Sequence, residues 1–338
     1  MAGLQLLDDY DVLLADLDGT VFRGGEPVDG AREALDGRRV VYITNNASRS
    51  PVQVAEHLNS LGFPAEAPQV LTSAQAGCAL ANDILTEQGL PLEGRRAYVV
   101  GAESFRDLAR DAGFTVVDSA DSAGGAPHVV LHGHSPDNGW PVLSEATLCI
   151  QRGAVYVASN MDTTLPSERG FLVGNGSLVA AVVSATGVTP RSAGKPLPEM
   201  FRRAVAESGA TRPLAVGDRL DTDIAGGNAA GLDSLCVLTG VATHTELLGT
   251  PYRPTFIAAN LRDHLDGWTA EAVAEGDAVQ VVVHAGETGD VEVMAAEAVA
   301  VAAPVVWAQL DAGRELQDVT VVAADGDPAA ASALEAWR

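Results

Sequence analysis

Short apolar runs alternate along the chain with longer stretches in which apolar residues recur at helical spacing. Residues 12–15 and 40–43 are strand candidates, and residues 51–61 and 73–87 are helix candidates. Pro51 follows three polar residues and stands where proline is favoured, in the first turn of a helix. This alternation predicts a parallel sheet covered by helices.

A second set of alternating elements begins after the turn-rich segment GLPLEG at residues 89–94. The first pattern resumes near residue 190, with strands predicted at 214–216 and 234–238. We therefore predict a Rossmann-like parallel-sheet core, residues 1–86 and 188–266, interrupted by an inserted α/β domain, residues 87–187. The elements predicted in the insertion are residues 97–100, 104–112, 115–117, 128–132, 143–152 and 154–158.

The last part of the chain, residues 267–338, differs in composition from the rest. It holds 13 acidic and 2 basic residues, so its net charge is -11. Its pattern is a strand in VQVVVHAG, a helix from about residue 295, a strand in DVTVVAADG and a helix in PAAASALEAWR. We predict a small C-terminal α/β appendage from this pattern.

Charge and cysteine content narrow the classes of function. The net charge of -24 on 338 residues argues against nucleic acid or an anionic membrane as a partner. The amino-terminal residues are acidic where a signal peptide is basic, and no apolar run reaches 18 residues, so we expect a cytoplasmic protein. Cys78, Cys149 and Cys236 lack CxxC spacing and are expected to be buried free thiols.

Polar residues cluster directly after the strands predicted for the core. In open parallel sheets, ligands bind at the carboxyl ends of the strands, so clusters that are distant in sequence can converge on one crevice. Lys195 in SAGKP is a further candidate because it stands alone among small residues. The clusters are Asp16 and Asp18 in DLDGT, Thr44, Asn45 and Asn46 in TNN, and Asp218, Asp221 and Asp223 in GDRLDTD.

The two aspartates of DLDGT suggest phosphoryl transfer through a carboxylate. Strand periodicity aims Asp16 and Asp18 to the same side, and Gly19 allows the chain to turn around a ligand. One carboxylate can attack phosphorus and form an aspartyl-phosphate, which divides a difficult hydrolysis into two easier displacements. The second can donate a proton to the leaving alkoxide and later remove one from water.

A magnesium ion would allow so many carboxylates to lie together. It takes oxygen ligands from carboxylates, a backbone carbonyl and a substrate phosphate, and Asp218 is the natural additional ligand. Lys195 would neutralise charge on the transferring group. Thr44 and the amides around Asn45 and Asn46 would hydrogen-bond the remaining phosphate oxygens.

Other uses of these residues fit the sequence less well. An EF-hand that started at Asp16 would require Gly and Glu where the chain has Val21 and Pro27. No GxxxxGK[ST] segment occurs, and GNGS at residues 174–177 lacks the third glycine of a dinucleotide-binding fingerprint.

The order DLDGT, TNN, GKP, GDRLDTD resembles the four motifs of haloacid-dehalogenase-type phosphatases. The long insertion resembles the large cap of the subfamily of nitrophenyl, phosphoglycolate and pyridoxal phosphatases. The segment ASNMDTTLPSERGFLVGNGSLVAAV resembles that subfamily's passage from cap back to core. The nearest resemblance is to actinobacterial members that hydrolyse glycerol 3-phosphate. It covers about residues 8–265 and implies no role for the appendage.

The resemblance implies a role for each matching residue. Asp16 would be the nucleophile and a magnesium ligand, and Asp18 the general acid and base with its carbonyl on the metal. Thr44 and Lys195 would bind the phosphoryl group. Asp218 would bind the metal directly, and Asp223 would hold a metal-bound water. Asp221 is expected to be merely solvated.

Some residues outside the motifs are candidates for substrate contact or support. Arg23 could touch the leaving group, and His134 could line the substrate pocket from the cap. A metal role for His132 and His134 is disfavoured because no third ligand is nearby in sequence. Asn160 and Asp162 are expected to have a structural role.

The expected reaction is magnesium-dependent hydrolysis of a small phosphate ester. Glycerol 3-phosphate is the favoured substrate, and phosphoglycolate or 4-nitrophenyl-type esters are alternatives. A phosphotransferase would share the same intermediate. A different class, a phosphate-ligand sensor that binds a partner through the appendage, stays open, as does homo-oligomerisation.

Overall fold

The computed structural model describes residues 6–167, 169–275 and 278–337. The chain forms two compact units: one holds the residues up to Val41 and from Val205 onward, and the other holds Tyr42–Ala204. The strands, in chain order, are β1 (Val12–Ala15), β2 (Phe22–Arg23), β3 (Glu26–Pro27), β4 (Val40–Thr44), β5 (Val70–Thr72), β6 (Arg96–Val100), β7 (Thr115–Val117), β8 (Val129–His132), β9 (Val155–Ala158), β10 (Thr164–Ser167), β11 (Gly170–Val173), β12 (Arg191–Ser192), β13 (Pro213–Gly217), β14 (Asp233–Val237), β15 (Phe256–Ala258), β16 (Thr269–Glu275), β17 (Ala278–His284) and β18 (Val319–Ala323).

The helices lie between these strands, as the alternating pattern predicts. Ser50 and Thr72 begin two of them with capping boxes, which satisfy amide donors at the first turn. The α-helices are Ala31–Leu35, Pro51–Ser60, Ser73–Glu87, Glu103–Asp111, Trp140–Gln151, Asn175–Thr186, Glu199–Ser208, Ala225–Ala230, His244–Gly249, Val291–Asp311 and Pro328–Glu335.

In the first unit, strands β1, β13, β14 and β15 are neighbours in the order β15-β14-β13-β1, and every pair is parallel. All four residues of β1 are buried, which explains its continuous apolar run. Val12 pairs with Pro213 and Ala15 with Val216, so β1 and β13 end side by side. Asp16 and Asp218 therefore follow neighbouring strands.

In the second unit, strands β4 and β5 form a parallel pair. A separate sheet has the strand order β12-β9-β8-β6-β7 and is parallel throughout. The helices Trp140–Gln151 and Asn175–Thr186 cover one face of it and share its apolar core. The antiparallel hairpin β10–β11 was not predicted from the sequence.

The C-terminal part of the first unit is a sheet of β16, β17 and β18 with two helices. The pair β16–β17 is antiparallel and β17–β18 is parallel. The long helix starts at Val291 rather than near residue 295, because Asp290 accepts a hydrogen bond from the Glu292 amide and caps it.

The helix Val291–Asp311 is long and apolar enough to cross a membrane by length and composition alone, with a mean hydropathy of 1.7. Of its most apolar 18-residue stretch, 61% is buried inside the protein. It packs against β16, β17 and β18 and contributes to two apolar clusters. These contacts account for its composition as that of a core helix.

The predicted fold class is confirmed: an α/β fold with a parallel-sheet core and additional sheets. The three cysteines are buried free thiols, as expected. The predicted division into core, inserted domain and appendage stays a prediction.

Candidate active site

The end of β1 presents Asp16 and Asp18 on a tight turn. The Asp16 amide donates to the Val216 carbonyl of the neighbouring strand at 2.9 Å, which continues the strand pairing to that residue. Gly19 then takes a φ of +88°, a region that favours glycine, and its amide donates to the Phe22 carbonyl at 2.7 Å. Asp16 is half-buried and Asp18 is exposed.

The end of β13 presents Asp218 and Asp223, which are both buried. A π-helical turn, Leu220–Ile224, follows the strand and returns Asp223 toward its end. The Arg219 amide donates to Asp223 Oδ2 at 3.1 Å, and the Asp223 amide donates to the Arg219 carbonyl at 3.1 Å. The turn thereby fixes the Asp223 carboxylate.

Asp16, Asp218 and Asp223 form one carboxylate cluster. One oxygen from each lies within 4.8 Å of the others. Three anionic groups so close together repel each other unless a cation or protons offset their charge. Carboxylate oxygens are the ligands that a hard divalent cation such as Mg²⁺ prefers, so the donor set fits that ion.

Glycines allow the backbone to approach this cluster closely. A Cβ at Gly240 would overlap the Asp218 carboxylate, and one at Gly19 would lie 2.5 Å from Asp218 Oδ2. Next to Gly240, the Val241 amide donates to Asp218 Oδ2 at 2.7 Å. Gly240 and Val241 were not predicted from the sequence, although both follow β14, another strand that ends at the same edge of the sheet.

A second group of polar residues lies in the unit Tyr42–Ala204 and is organised by Asn45. Its carboxamide accepts from the Lys195 amide at 2.9 Å and donates to the Lys195 carbonyl at 3.1 Å. It also donates to the Asp162 carboxylate at 3.1 Å. Asn160 donates to the Asn45 carbonyl at 2.7 Å. Asn45 therefore ties the segment of Lys195 to the end of β4.

The side chains of Thr44, Asn46 and Lys195 have local partners as well. Thr44 Oγ1 accepts from the Asn46 amide at 3.1 Å, and Asn46 Oδ1 accepts from the Ser48 amide at 2.8 Å. Lys195 is buried, and its Nζ donates to the Ile43 carbonyl at 3.1 Å. The side chains of Asn45 and Asn46 thus bind protein, and their assignment to a phosphate stays a prediction.

The two histidines of HGH differ in environment. His132 is fully buried, its Nδ1 lies 2.8 Å from the Tyr156 hydroxyl, and burial lowers its pKa to about 3. It is a neutral core residue. His134 is half-buried in the loop after β8.

Two charged candidates lie on the surface of the other unit. Arg23 is exposed on the β2–β3 hairpin that follows DLDGT. Asp221, which was expected to be merely solvated, forms an exposed ion pair with Arg219 at 2.9 Å. Asp221 is therefore a surface residue and does not belong to the carboxylate cluster of Asp16, Asp218 and Asp223.

The chain belongs to the haloacid dehalogenase-like hydrolases. Residues 13–115 match the family described as haloacid dehalogenase-like hydrolase, and residues 192–264 match the family described as HAD-hydrolase-like. These matches include the segments of Asp16, Thr44, Lys195 and Asp218.

Among its relatives, the chain is 41% identical to the D-glycerol 3-phosphate phosphatase of Mycobacterium tuberculosis, over 98% of this chain and 95% of that protein. A crystal structure of a glycerol phosphate phosphatase of that organism in complex with magnesium superposes with a TM-score of 0.81, at 41% identity and over 97% of both chains. The acid sugar phosphatase of Staphylococcus epidermidis is 33% identical over 73% of this chain and 93% of that protein. The chain is therefore an enzyme and a phosphatase.

Proposed function

We propose that this phosphatase hydrolyses glycerol 3-phosphate in a magnesium-dependent reaction. The observation that carries the proposal is the cluster of Asp16, Asp218 and Asp223 at the ends of two adjacent strands. The relative named for glycerol 3-phosphate supports the substrate because it aligns with 98% of this chain. We further propose that the enzyme acts in the cytoplasm, where three buried thiols would stay reduced.

In the proposed reaction, a carboxylate oxygen of Asp16 attacks phosphorus and the bond to the glycerol oxygen breaks. Asp18 donates a proton to that leaving oxygen. Asp18 then removes a proton from water, the water oxygen attacks phosphorus, and the bond to Asp16 breaks to release phosphate. The exposure of Asp18 suits a group that exchanges protons with substrate and water.

Asp16, Asp218 and Asp223 would hold the magnesium ion, with the Asp18 carbonyl as a further ligand. The ion supplies positive charge that offsets the carboxylates and the phosphate oxygens. The buried position of Asp223 suits either direct ligation or a water-mediated contact.

Thr44 and Lys195 would bind the phosphoryl oxygens, and Asn45 would hold Lys195 in place. Gly19 and Asn46 would line the phosphate site, and Arg23 and His134 would contact the rest of the substrate.

The relative named for acid sugars favours a second candidate, a sugar phosphate. The two can be separated with purified enzyme by measuring phosphate release from both glycerol phosphate enantiomers, phosphoglycolate, a hexose phosphate and 4-nitrophenyl phosphate. We expect kcat/KM to be at least about tenfold higher for one glycerol 3-phosphate enantiomer than for the other esters, because hydrogen-bonded hydroxyls discriminate strongly.

Removal of divalent metal with a chelator should abolish turnover, and added Mg²⁺ should restore it. A preference for the hexose phosphate would transfer the assignment to sugar phosphates. Turnover that is unchanged by chelation would refute the magnesium-dependent reaction.

A further inference from the structure

We propose that the C-terminal segment from Trp268 to Trp337 positions the metal-binding carboxylates through the helix His244–Gly249, with Trp307 as the main positioning residue. The inference rests on the proposed function, in which Asp218 and Asp223 hold magnesium. It assigns a role in the reaction to a part of the chain that lies beyond both family matches, the second of which ends at residue 264.

The loop after β14 holds Asp218. The Val241 amide donates to Asp218 Oδ2 at 2.7 Å, and the Ala242 amide donates to the Asp218 carbonyl at 2.8 Å. In the same loop, Thr239 Oγ1 donates to the Gly19 carbonyl at 2.5 Å. This loop is therefore hydrogen-bonded both to Asp218, at the end of β13, and to the turn that follows Asp16.

The loop continues directly into the helix His244–Gly249. Thr243 caps that helix: its hydroxyl accepts from the Glu246 amide at 3.3 Å, and its amide donates to the Glu246 carboxylate at 3.1 Å. Only Thr243 separates Ala242 from the first helical residue. A shift of this short helix would accordingly move the amides that bind Asp218.

The C-terminal segment holds this helix at two points. The buried indole of Trp307 donates from Nε1 to the Leu247 carbonyl at 2.9 Å. At the other end, His244 stacks on Trp337 with ring centroids 6.1 Å apart and an angle of 8°. Trp337 is itself fixed, because its Nε1 donates to the Ala295 carbonyl at 3.1 Å.

One apolar cluster joins the same parts of the protein. It includes the turn of Asp223, the loop of Asp218, the helix His244–Gly249 and the long C-terminal helix. Its members include Ile224 of the turn, Leu238 and Ala242 of the loop, Leu247 of the short helix, and Val299 and Trp307 of the long helix.

Arg253 makes a further contact with the long helix. It lies over the Trp307 ring at 5.6 Å and pairs with Asp311 at 2.7 Å.

Groups that orient metal ligands typically change metal affinity by about 10- to 100-fold when they are removed. Packed interiors transmit strain because they contain few voids, so loss of the Trp307 indole would let the helix and its loop relax. We therefore expect Trp307 to act on metal affinity without touching metal or substrate.

Trp268 provides a matched control in the same segment. It is also a buried tryptophan, and its Nε1 also donates to a backbone carbonyl, that of Glu287, at 2.9 Å. It belongs to the other apolar cluster, which is centred on β17 and the face of the long helix toward that strand. Its loss disturbs the segment without removing the bond to Leu247.

The test compares Trp307→Ala with Trp268→Ala in the full chain and measures Mg²⁺ binding directly by calorimetry on metal-free protein. We expect the Kd for Mg²⁺ to rise about tenfold in Trp307→Ala and less than about twofold in Trp268→Ala. In Trp307→Phe, which keeps a ring but lacks the N–H, we expect an intermediate rise. The Mg²⁺ concentration for half-maximal turnover should follow the same order.

Equal metal affinity in wild type and Trp307→Ala would overturn the inference, and so would an equal loss in both alanine variants, which indicates general loosening. If either alanine variant does not fold, Trp307→Phe and Trp268→Phe are compared by the same criterion. Failure of the wild-type enzyme to bind Mg²⁺ would instead refute the proposed function itself.

Discussion

At the scale of single residues, Asn45 shows how a conspicuous polar side chain can serve the site indirectly. Its carboxamide makes two hydrogen bonds with the backbone of Lys195 and donates to both carboxylate oxygens of Asp162. It therefore holds the lysine that we assign to the phosphoryl group. A catalytic group that is displaced by about 1 Å can lose on the order of 100-fold in rate.

We predict that Asn45→Ala lowers kcat/KM by about 10- to 100-fold, because the segment of Lys195 loses its anchor and Asp162 loses a donor. Asn59→Ala is the control, since the Asn59 carboxamide likewise binds neighbouring segments of the chain, through three hydrogen bonds with the backbones of Ala55 and Ala65. Steady-state kinetics and urea unfolding of both variants check this. Similar losses of kcat/KM in the two variants would show that the effect is one of stability alone.

The sequence identified the aspartates of the site because each follows an apolar run and because short carboxylates at strand ends have few structural uses. The partners of Asn45 could not be identified in this way. They depend on contacts with Asp162 and Lys195, which are distant in sequence, and on which way an amide points. Gly240 was missed because a single glycine after a strand is common in turns.

At the scale of elements, the helices and strands with a clear hydrophobic pattern were the ones that could be predicted. Strand β1 and the helix Ser73–Glu87 have the predicted bounds, because one is wholly buried and the other has a clear amphipathic period. Strand β11 is exposed along its whole length, and the apolar residues of β16 are alanines and one valine, so the hydrophobic signal of both strands is weak. Their pairing with β10 and β17 makes them strands.

A buried histidine between the neighbouring strands β8 and β9 should make the stability of the protein depend on pH. His132 of β8 contacts the Tyr156 hydroxyl of β9, and burial lowers the histidine pKa to about 3. Unfolded histidine binds a proton near pH 6.5, so the unfolded state holds more protons between about pH 6.5 and 3. This contribution to stability is complete above pH 6.5 and is lost as the pH falls.

We predict that the free energy of unfolding of wild type falls by about 1 kcal/mol more than that of His132→Asn between pH 6.5 and 5.5. Asparagine does not titrate, and it can still hydrogen-bond the Tyr156 hydroxyl. Urea unfolding at the two pH values measures the difference. Parallel losses in both proteins would show that His132 is not the group responsible.

At the scale of the whole molecule, the relatives differ in how much of this chain they share. The Mycobacterium tuberculosis phosphatase aligns with 98% of it, whereas the Staphylococcus epidermidis phosphatase aligns with 73% while using 93% of its own length. About a quarter of this chain is therefore not required for phosphatase chemistry in every relative. If the C-terminal segment positions Asp218 in this chain, relatives without that segment must hold the corresponding loop by other contacts.

The family and its fold could be predicted for about residues 8–265 because four short motifs in a fixed order are specific for this superfamily. The substrate could not be predicted with the same force, because it depends on residues outside those motifs. The net charge of -24 makes the local positive groups more important, since the overall field repels an anionic ester.

The central claim is that Asp16 attacks phosphorus within a cluster of three carboxylates, and kcat of Asp16→Asn tests it most directly. Asp221→Asn is the control, because Asp221 pairs with Arg219 on the surface. We expect Asp16→Asn to remain folded, since it removes like-charge repulsion, and to lose at least about 1,000-fold in kcat with saturating Mg²⁺. We expect Asp221→Asn to stay within about twofold of wild type. An Asp16→Asn enzyme within tenfold of wild type would contradict the account.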